Sequence, residues 1–189
     1  IIINIKKPII FLFGPTASGK TDLAIELIKN FSVELISVDS VMVYKDCNIG
    51  SAKPDEKTLK KYPHHLISLK SLDNVFTVSD FCESANKLII EAHKNGKLPV
   101  LVGGSMMYFK SLFDGIHDLP DRDEEYREEL KKLKNNNPDG YLYKILKDTD
   151  PVYANFINKN DDMRIIRALE IYKNSHKKMS DILKEKPTN

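Results

Sequence analysis

Short apolar runs bounded by glycine, proline or charged residues divide the first part of the chain. The runs at residues 9–13 and 98–102 are continuous, and the run at 33–38 is mostly apolar, which is typical of strands buried on both faces of a parallel sheet. A shorter run at 65–69 predicts a further strand. The pattern therefore favours a parallel sheet with both faces covered.

Apolar residues at helical spacing lie between these runs. The strongest helix pattern covers residues 77–95, where Phe81, Ala85 and Ala92 share one face and Gly96 follows as a stop. Other helices are predicted directly after a glycine-rich turn, at residues 55–61, and from Gly104 to near Phe113. Strands that alternate with helices imply an α/β fold in which right-handed crossovers connect parallel strands.

The character of the chain changes after residue 120, where no strand pattern continues. More than half of all charged residues lie in residues 121–189, and so do all four arginines: Arg122, Arg127, Arg164 and Arg167. The predicted helices here cover residues 124–134, 141–147, 162–174 and 179–184. We therefore expect an α/β core at 1–120 and a helical module at 121–189.

Composition limits the possible functions. The formal net charge is +2, so the chain is not a polycation, although a local basic face is allowed. Cys47 and Cys82 lie far apart, which excludes a disulfide framework and a cysteine zinc site and suits the reducing cytosol. No run approaches the roughly 20 apolar residues of a membrane span. The adjacent His64 and His65 lack ligand spacing, so we expect them to be structural.

A phosphate-binding loop is the strongest chemical signal in the sequence. The pattern Gly-x-x-x-x-Gly-Lys-Thr lies between a predicted strand and a predicted helix, where backbone N–H groups, the lysine and the helix N-terminus can surround a phosphate. Thr21 can also bind Mg²⁺ through its hydroxyl. The predicted cradle consists of Gly14, Pro15, Thr16, Ala17, Ser18, Gly19, Lys20 and Thr21.

Asp39 is the one acidic residue that follows a predicted strand directly. It ends the strand at 33–38, whereas the strand at 98–102 ends in Gly103 and Gly104. Ligands of open α/β sheets bind at the carboxyl edge of the strands, so Asp39 could hold a metal or act as a base. The alternative is that Asp39 only caps a turn with Ser40.

Several motifs together resemble the tRNA dimethylallyltransferase family, also called tRNA isopentenyltransferases. They agree with that family in order and spacing over nearly the whole chain. The segments that carry the resemblance are Gly14-Pro-Thr-Ala-Ser-Gly-Lys-Thr21, Ile36-Ser-Val-Asp-Ser40, Val43-Tyr-Lys45, Ile49-Gly-Ser-Ala-Lys-Pro54, Leu101-Val-Gly-Gly-Ser105 with Tyr108, and Asn160-Asp-Asp-Met-Arg-Ile-Ile-Arg-Ala-Leu-Glu170.

The resemblance implies transfer of a dimethylallyl group from dimethylallyl diphosphate to N6 of adenosine 37, next to the anticodon of tRNA. The departing diphosphate needs electrostatic stabilisation, which the cradle and Mg²⁺ on Thr21 can supply. Asp39 would accept the amine proton, and the resemblance assigns Thr16 a hydrogen bond to the leaving oxygen. We expect a cytoplasmic monomer with no membrane contact.

The resemblance also implies a set of tRNA contacts. They are Asp39, Ser40, Val41, Met42, Ser105, Arg127, Met163, Arg164, Ile165, Ile166 and Arg167. Met42 stands where the family often has glutamine, and Ser105 where threonine is usual. The alternative for Arg164 and Arg167 is a solvated charged face, and Arg127 could instead pair with Glu124 or Glu128.

Other readings remain open. The same core could belong to a small-molecule kinase or to a prenyltransferase acting on a free adenylate, although neither needs a basic helical module. A nucleotide-dependent RNA-binding switch without chemistry is a third possibility. Phe109, Leu112 and Phe113 are expected in the core, with part of that face able to line a prenyl pocket. The family pattern continues beyond Asn189, so we expect the 189 residues alone to be inactive.

Overall fold

A computed structural model describes residues 7–187 of the chain. Four parallel strands form one sheet in the order β1-β4-β2-β3. They are β1 Ile10–Phe13, β2 Val33–Val38, β3 His64–His65 and β4 Leu98–Gly103. The predicted α/β fold with a parallel sheet is confirmed. The strand expected at 65–69 is shorter, because Leu66 and Ser68 have φ angles of 63° and 52° and turn the chain.

Helices cover both faces of this sheet. The helices that do so are α1 Lys20–Asn30, α3 Val78–Lys94 and α4 Met106–Asp114, whereas α2 Glu56–Lys61 has no buried residue. Side chains of β2 alternate between the two faces, so that Leu35 packs with Ala24 of α1 and Ile36 packs with Phe81 of α3. This two-sided burial explains why the strand residues are mostly apolar.

The ends of α3 follow the predicted signals. Thr77 and Asp80 form a reciprocal capping box at its N-terminus, and Gly96 follows its C-terminus with a φ of 68°. In α4, Phe109 is buried as expected, but Phe113 is 75% exposed, because it lies in the last turn beyond the core.

A second compact unit begins at His117, and the first ends at Ile116. It consists of α5 Glu124–Asn135, α6 Tyr141–Thr149, α7 Pro151–Ala154, α8 Asp162–Ser175 and α9 Met179–Ile182. Its core includes Leu130, Leu146 and Ile165. The sequence did not predict α7. Asp150 caps it by accepting a hydrogen bond from the Tyr153 backbone at 3.0 Å. Within residues 7–187, no helix is both long and apolar enough to cross a membrane.

Candidate active site

The phosphate-binding loop connects β1 to α1 and lines a cavity of about 340 Å³ at the carboxyl edge of the sheet. Gly19 precedes α1 with a φ of 79°, a conformation that favours glycine. Ala17 also lies in the left-handed region, with a φ of 63°. The predicted residues Thr16–Thr21 all line the cavity. This loop has the form expected of an anion cradle at a helix N-terminus.

The ammonium group of Lys20 bends back onto the loop. It donates hydrogen bonds to the Pro15 carbonyl and to Ser18 Oγ. Both acceptors are neutral, and the side chain has no carboxylate partner among residues 7–187. A bound phosphate would therefore replace these two contacts with a charge-assisted pair.

Asp39 lines the same cavity as the cradle. Its Oδ1 accepts hydrogen bonds from the backbone N–H groups of Val41 at 2.8 Å and Met42 at 3.0 Å. No partner of Oδ2 lies in the described part of the chain. The turn cap and the candidate base are therefore compatible, because each role uses a different oxygen.

At the end of β4, Gly103 and Gly104 bring the ends of two strands together. A Cβ atom on Gly103 would lie 1.9 Å from the Val38 carbonyl oxygen, so only glycine fits this contact. Ser105 then donates its backbone N–H to the same oxygen at 3.3 Å, and its Oγ accepts from the Ser40 N–H at 3.2 Å. The Gly-Gly-Ser motif thus positions the Asp39 turn beside the cradle.

The cavity is also lined by residues that the sequence did not assign to the site. Met42 was predicted as a tRNA contact; the other lining residues here are Ser37, Ser51, Ala52, Pro54, His64, Ile67 and Val102. Phe109, Leu112 and Phe113 do not line it. The face that could have formed a prenyl pocket therefore lies outside this cavity.

His64 is the least expected of these lining residues. Its Nδ1 lies 2.8 Å from the Tyr62 carbonyl, which can only accept, so Nδ1 carries the hydrogen. Burial lowers the pKa of His64, which favours the neutral ring with an acceptor at Nε2. His64 pairs with Leu35 of β2, so its side chain lies on the same face of the sheet as that of Ser37. This placement follows from the strand register, which the sequence alone does not give. His65 instead contacts Glu34 at 2.6 Å.

Two of the predicted tRNA-binding arginines form an ion-pair network in the helical unit. Glu170 is 0% exposed and contacts Arg127 Nε at 2.6 Å and also the Arg167 guanidinium. Burial alone raises the pKa of Glu170, but the two arginines outweigh burial and lower it to about 2. Arg127 thus forms its ion pair with Glu170 on α8 and not with Glu124 or Glu128, the alternative partners that the sequence left open.

The other predicted tRNA contacts differ in exposure. Met163 is 72% exposed, and Arg164 is 66% exposed and pairs with Asp161. Ile165 and Ile166 are only 1% and 8% exposed. Their side chains pack in the core of the helical unit, which is at odds with direct contacts from them to RNA.

A protein-family model matches most of the chain. The sequence profile described as IPP transferase matches residues 42–189. A tRNA dimethylallyltransferase of Vesicomyosocius okutanii is 48% identical over 180 residues, which are 95% of this chain and 59% of that protein. One from Legionella pneumophila (strain Corby) is 46% identical over 166 residues, or 88% of this chain and 53% of that protein. The chain thus spans less than two thirds of these relatives.

Solved structures of such transferases are also similar to this chain. A eukaryotic dimethylallyltransferase acting on tRNA aligns with a TM-score of 0.77 and 31% identity, over 94% of this chain and 44% of that one. The full-length tRNA isopentenylpyrophosphate transferase of Bacillus halodurans aligns with a TM-score of 0.57 and 39% identity, over 90% of this chain and 56% of that one.

Proposed function

Because this chain belongs to the IPP transferase family of tRNA dimethylallyltransferases, we propose that the whole protein transfers a dimethylallyl group to tRNA. The donor is dimethylallyl diphosphate, and the acceptor is N6 of adenosine 37, next to the anticodon. One observation carries this proposal: a carboxylate, Asp39, lines the same cavity as a phosphate cradle. A base and a leaving-group site can therefore act on one reacting centre.

The cradle stabilises the departing diphosphate. As the allylic carbon–oxygen bond breaks, negative charge develops on the leaving oxygen, and a positive charge spreads over the allyl group. Backbone N–H groups of residues 16–21 and the Lys20 ammonium stabilise that oxygen electrostatically. We assign Thr16, which lines the cavity, the hydrogen bond to the leaving oxygen. Diphosphate then leaves as the second product.

Asp39 activates the acceptor. The N6 amine of adenine is a weak nucleophile because its lone pair is shared with the ring. As the nitrogen forms its bond to the allylic carbon, one N–H proton passes to the Asp39 carboxylate. The backbone contacts to Oδ1 hold the carboxylate in place, and Oδ2 is the oxygen that takes the proton.

Magnesium fits this set of residues. In the described part of the chain, no group of three or more His, Cys, Asp or Glu side chains could form a metal cage. Mg²⁺ commonly binds through substrate phosphates and waters with few protein ligands, so the Thr21 hydroxyl is a suitable single ligand. When bound, Mg²⁺ would neutralise charge on the diphosphate.

The helical unit supplies the proposed contacts to tRNA. Met163 and Arg164 are exposed. Arg127 keeps guanidinium N–H groups that Glu170 does not use, and Arg167 keeps some beyond those that it donates to Glu170 and the Pro120 carbonyl. Such groups can contact phosphates and fix the position of the RNA. The target adenosine must leave its stack to reach a cavity, as in other base-modifying enzymes. We propose that the protein acts as a monomer in the cytoplasm.

The test uses the complete protein with a tRNA transcript and dimethylallyl diphosphate carrying a label in the prenyl group. We expect Mg²⁺-dependent transfer of label to tRNA, with loss of transfer in Lys20→Ala and no loss in Lys87→Ala, a control on the exposed face of α3. Steady ATP hydrolysis without labelled tRNA would favour the kinase alternative. Labelling of free AMP and not tRNA would favour the free-adenylate alternative.

A further inference from the structure

The cavity has one wall that lacks regular structure. We call residues 49–54 the wall segment, of which Ser51, Ala52 and Pro54 line the cavity. Its residues make no backbone–backbone hydrogen bond within the described part of the chain. Gly50 and Ala52 also have positive φ angles, of 76° and 55°. Side-chain contacts must therefore hold the wall segment in place.

The Lys53 side chain is the main anchor of the wall segment. Its Nζ lies 2.6 Å from the Tyr44 carbonyl, 3.0 Å from Asn48 Oδ1, 3.2 Å from Ser68 Oγ and 3.4 Å from the Lys45 carbonyl. All four are neutral oxygens. An ammonium has three donors and no acceptor, so this cage uses its full capacity. Lys53 therefore has no hydrogen left for a substrate phosphate.

These contacts join segments that are distant in sequence. Tyr44 and Asn48 follow β2, whereas Ser68 lies in the turn after β3, which also carries the cavity residue Ile67. The other side-chain anchor found within residues 7–187, from Ser51 Oγ to the Cys47 carbonyl at 2.6 Å, is local. It ties the wall segment only to the residues just before it. Lys53 is thus the link between the wall segment and the turn after β3.

We propose that Lys53 is a positioning residue for the transfer reaction. Its ammonium fixes the wall segment, and the wall segment holds the apolar part of the substrates against the cradle and Asp39. This proposal rests on the proposed function. Displacing a substrate by about 1 Å can reduce a rate about 100-fold, so a wall joined to the turn after β3 by the Lys53 side chain is a sensitive element.

The first test compares Lys53→Met with Lys57→Met in the complete protein. Methionine keeps much of the length of lysine but removes the donors, and Lys57 is an exposed lysine of the adjacent helix α2. We expect Lys53→Met to lower the single-turnover transfer rate about 10- to 100-fold. Binding of inorganic pyrophosphate should stay unchanged because the cradle is intact. Lys53→Arg should restore part of the rate, since a guanidinium can also donate to several oxygens.

Equal rates for Lys53→Met and Lys57→Met would overturn the proposal, and so would an equal loss of pyrophosphate binding and rate. If Lys53→Met fails to fold, Asn48→Ala removes one acceptor of the cage and should give a smaller loss of rate with intact pyrophosphate binding. An unchanged rate in a folded Asn48→Ala protein would then count against the cage.

Hydrogen exchange separates this proposal from the proposed function. The Lys45 N–H donates to the Lys70 carbonyl at 2.9 Å, beside the Lys53 cage. We expect faster exchange at Lys45 in Lys53→Met than in Lys57→Met, whether or not the protein transfers prenyl groups. Unchanged exchange would contradict the anchoring role even in an active enzyme. Faster exchange in a protein without transferase activity would contradict only the proposed reaction.

Discussion

Replacing Asp39 by asparagine removes its charge while keeping the turn that it caps. The oxygen of the new side-chain amide can still accept from the Val41 and Met42 N–H groups, which lie 2.8 and 3.0 Å from Oδ1 of the aspartate. An amide cannot take the amine proton at neutral pH. Asp39→Ala removes both functions, so the two variants separate chemistry from local structure.

The expected sizes of the two effects differ. Loss of a general base costs about 10² to 10⁴ in rate, or roughly 3 to 5.5 kcal/mol in activation free energy. The two hydrogen bonds to Oδ1 contribute about 0.5–1.5 kcal/mol each to the free energy of unfolding. We therefore expect Asp39→Asn to be nearly as stable as the unmodified protein, and Asp39→Ala to lose about 1–3 kcal/mol.

The assay is single-turnover prenyl transfer by the complete protein, with urea unfolding and tRNA binding measured on the same samples. Both variants should bind tRNA and transfer slowly, and only Asp39→Ala should lose stability. If Asp39→Asn keeps the full rate while Asp39→Ala loses rate and stability together, Asp39 is a turn cap and not the base.

Three further predictions follow from named contacts. Gly103→Ala should lower the free energy of unfolding, measured by urea titration, by about 3 kcal/mol or more, because its Cβ overlaps the Val38 carbonyl. Gly104→Ala should cost far less in the same titration, because the nearest atom to its Cβ lies 3.6 Å away. The pKa of Glu170 is lowered to about 2, so its ionised carboxylate stabilises the fold above pH 4.5 and loses this contribution as the pH falls towards 2. Glu170→Gln should therefore flatten the curve of unfolding free energy against pH between these values. Arg127→Met should destabilise the helical unit by about 3 kcal/mol, whereas Arg164→Met should keep stability, weaken tRNA binding and reduce its salt dependence by about one ion.

The sequence predicted the features that depend on local patterns. The strand at 33–38 and the limits of α3 came from apolar spacing and from capping residues close in sequence. The cradle was equally local, because its glycines, lysine and threonine are consecutive or nearly so. These features need no information about distant contacts.

Features that depend on distant contacts were missed. Glu170 lies 43 residues after Arg127, so no helical spacing indicated that pair. The place of His64 in the cavity follows from its register with Leu35, and the Lys53 cage joins loops that only the sheet order brings together.

The short helix α7 was missed for a different, local reason. Its capping residue Asp150 and four helical residues are too few for a periodic pattern.

The most direct test of the account is mass spectrometry of nuclease fragments of tRNA. The tRNA is first incubated with the complete protein, dimethylallyl diphosphate and Mg²⁺. The account predicts one dimethylallyl group in place of one hydrogen, confined to the fragment that carries the adenosine 3′ to the anticodon, and no such product with Lys20→Ala. Unmodified tRNA throughout, or a prenyl group on any other nucleotide, would contradict it.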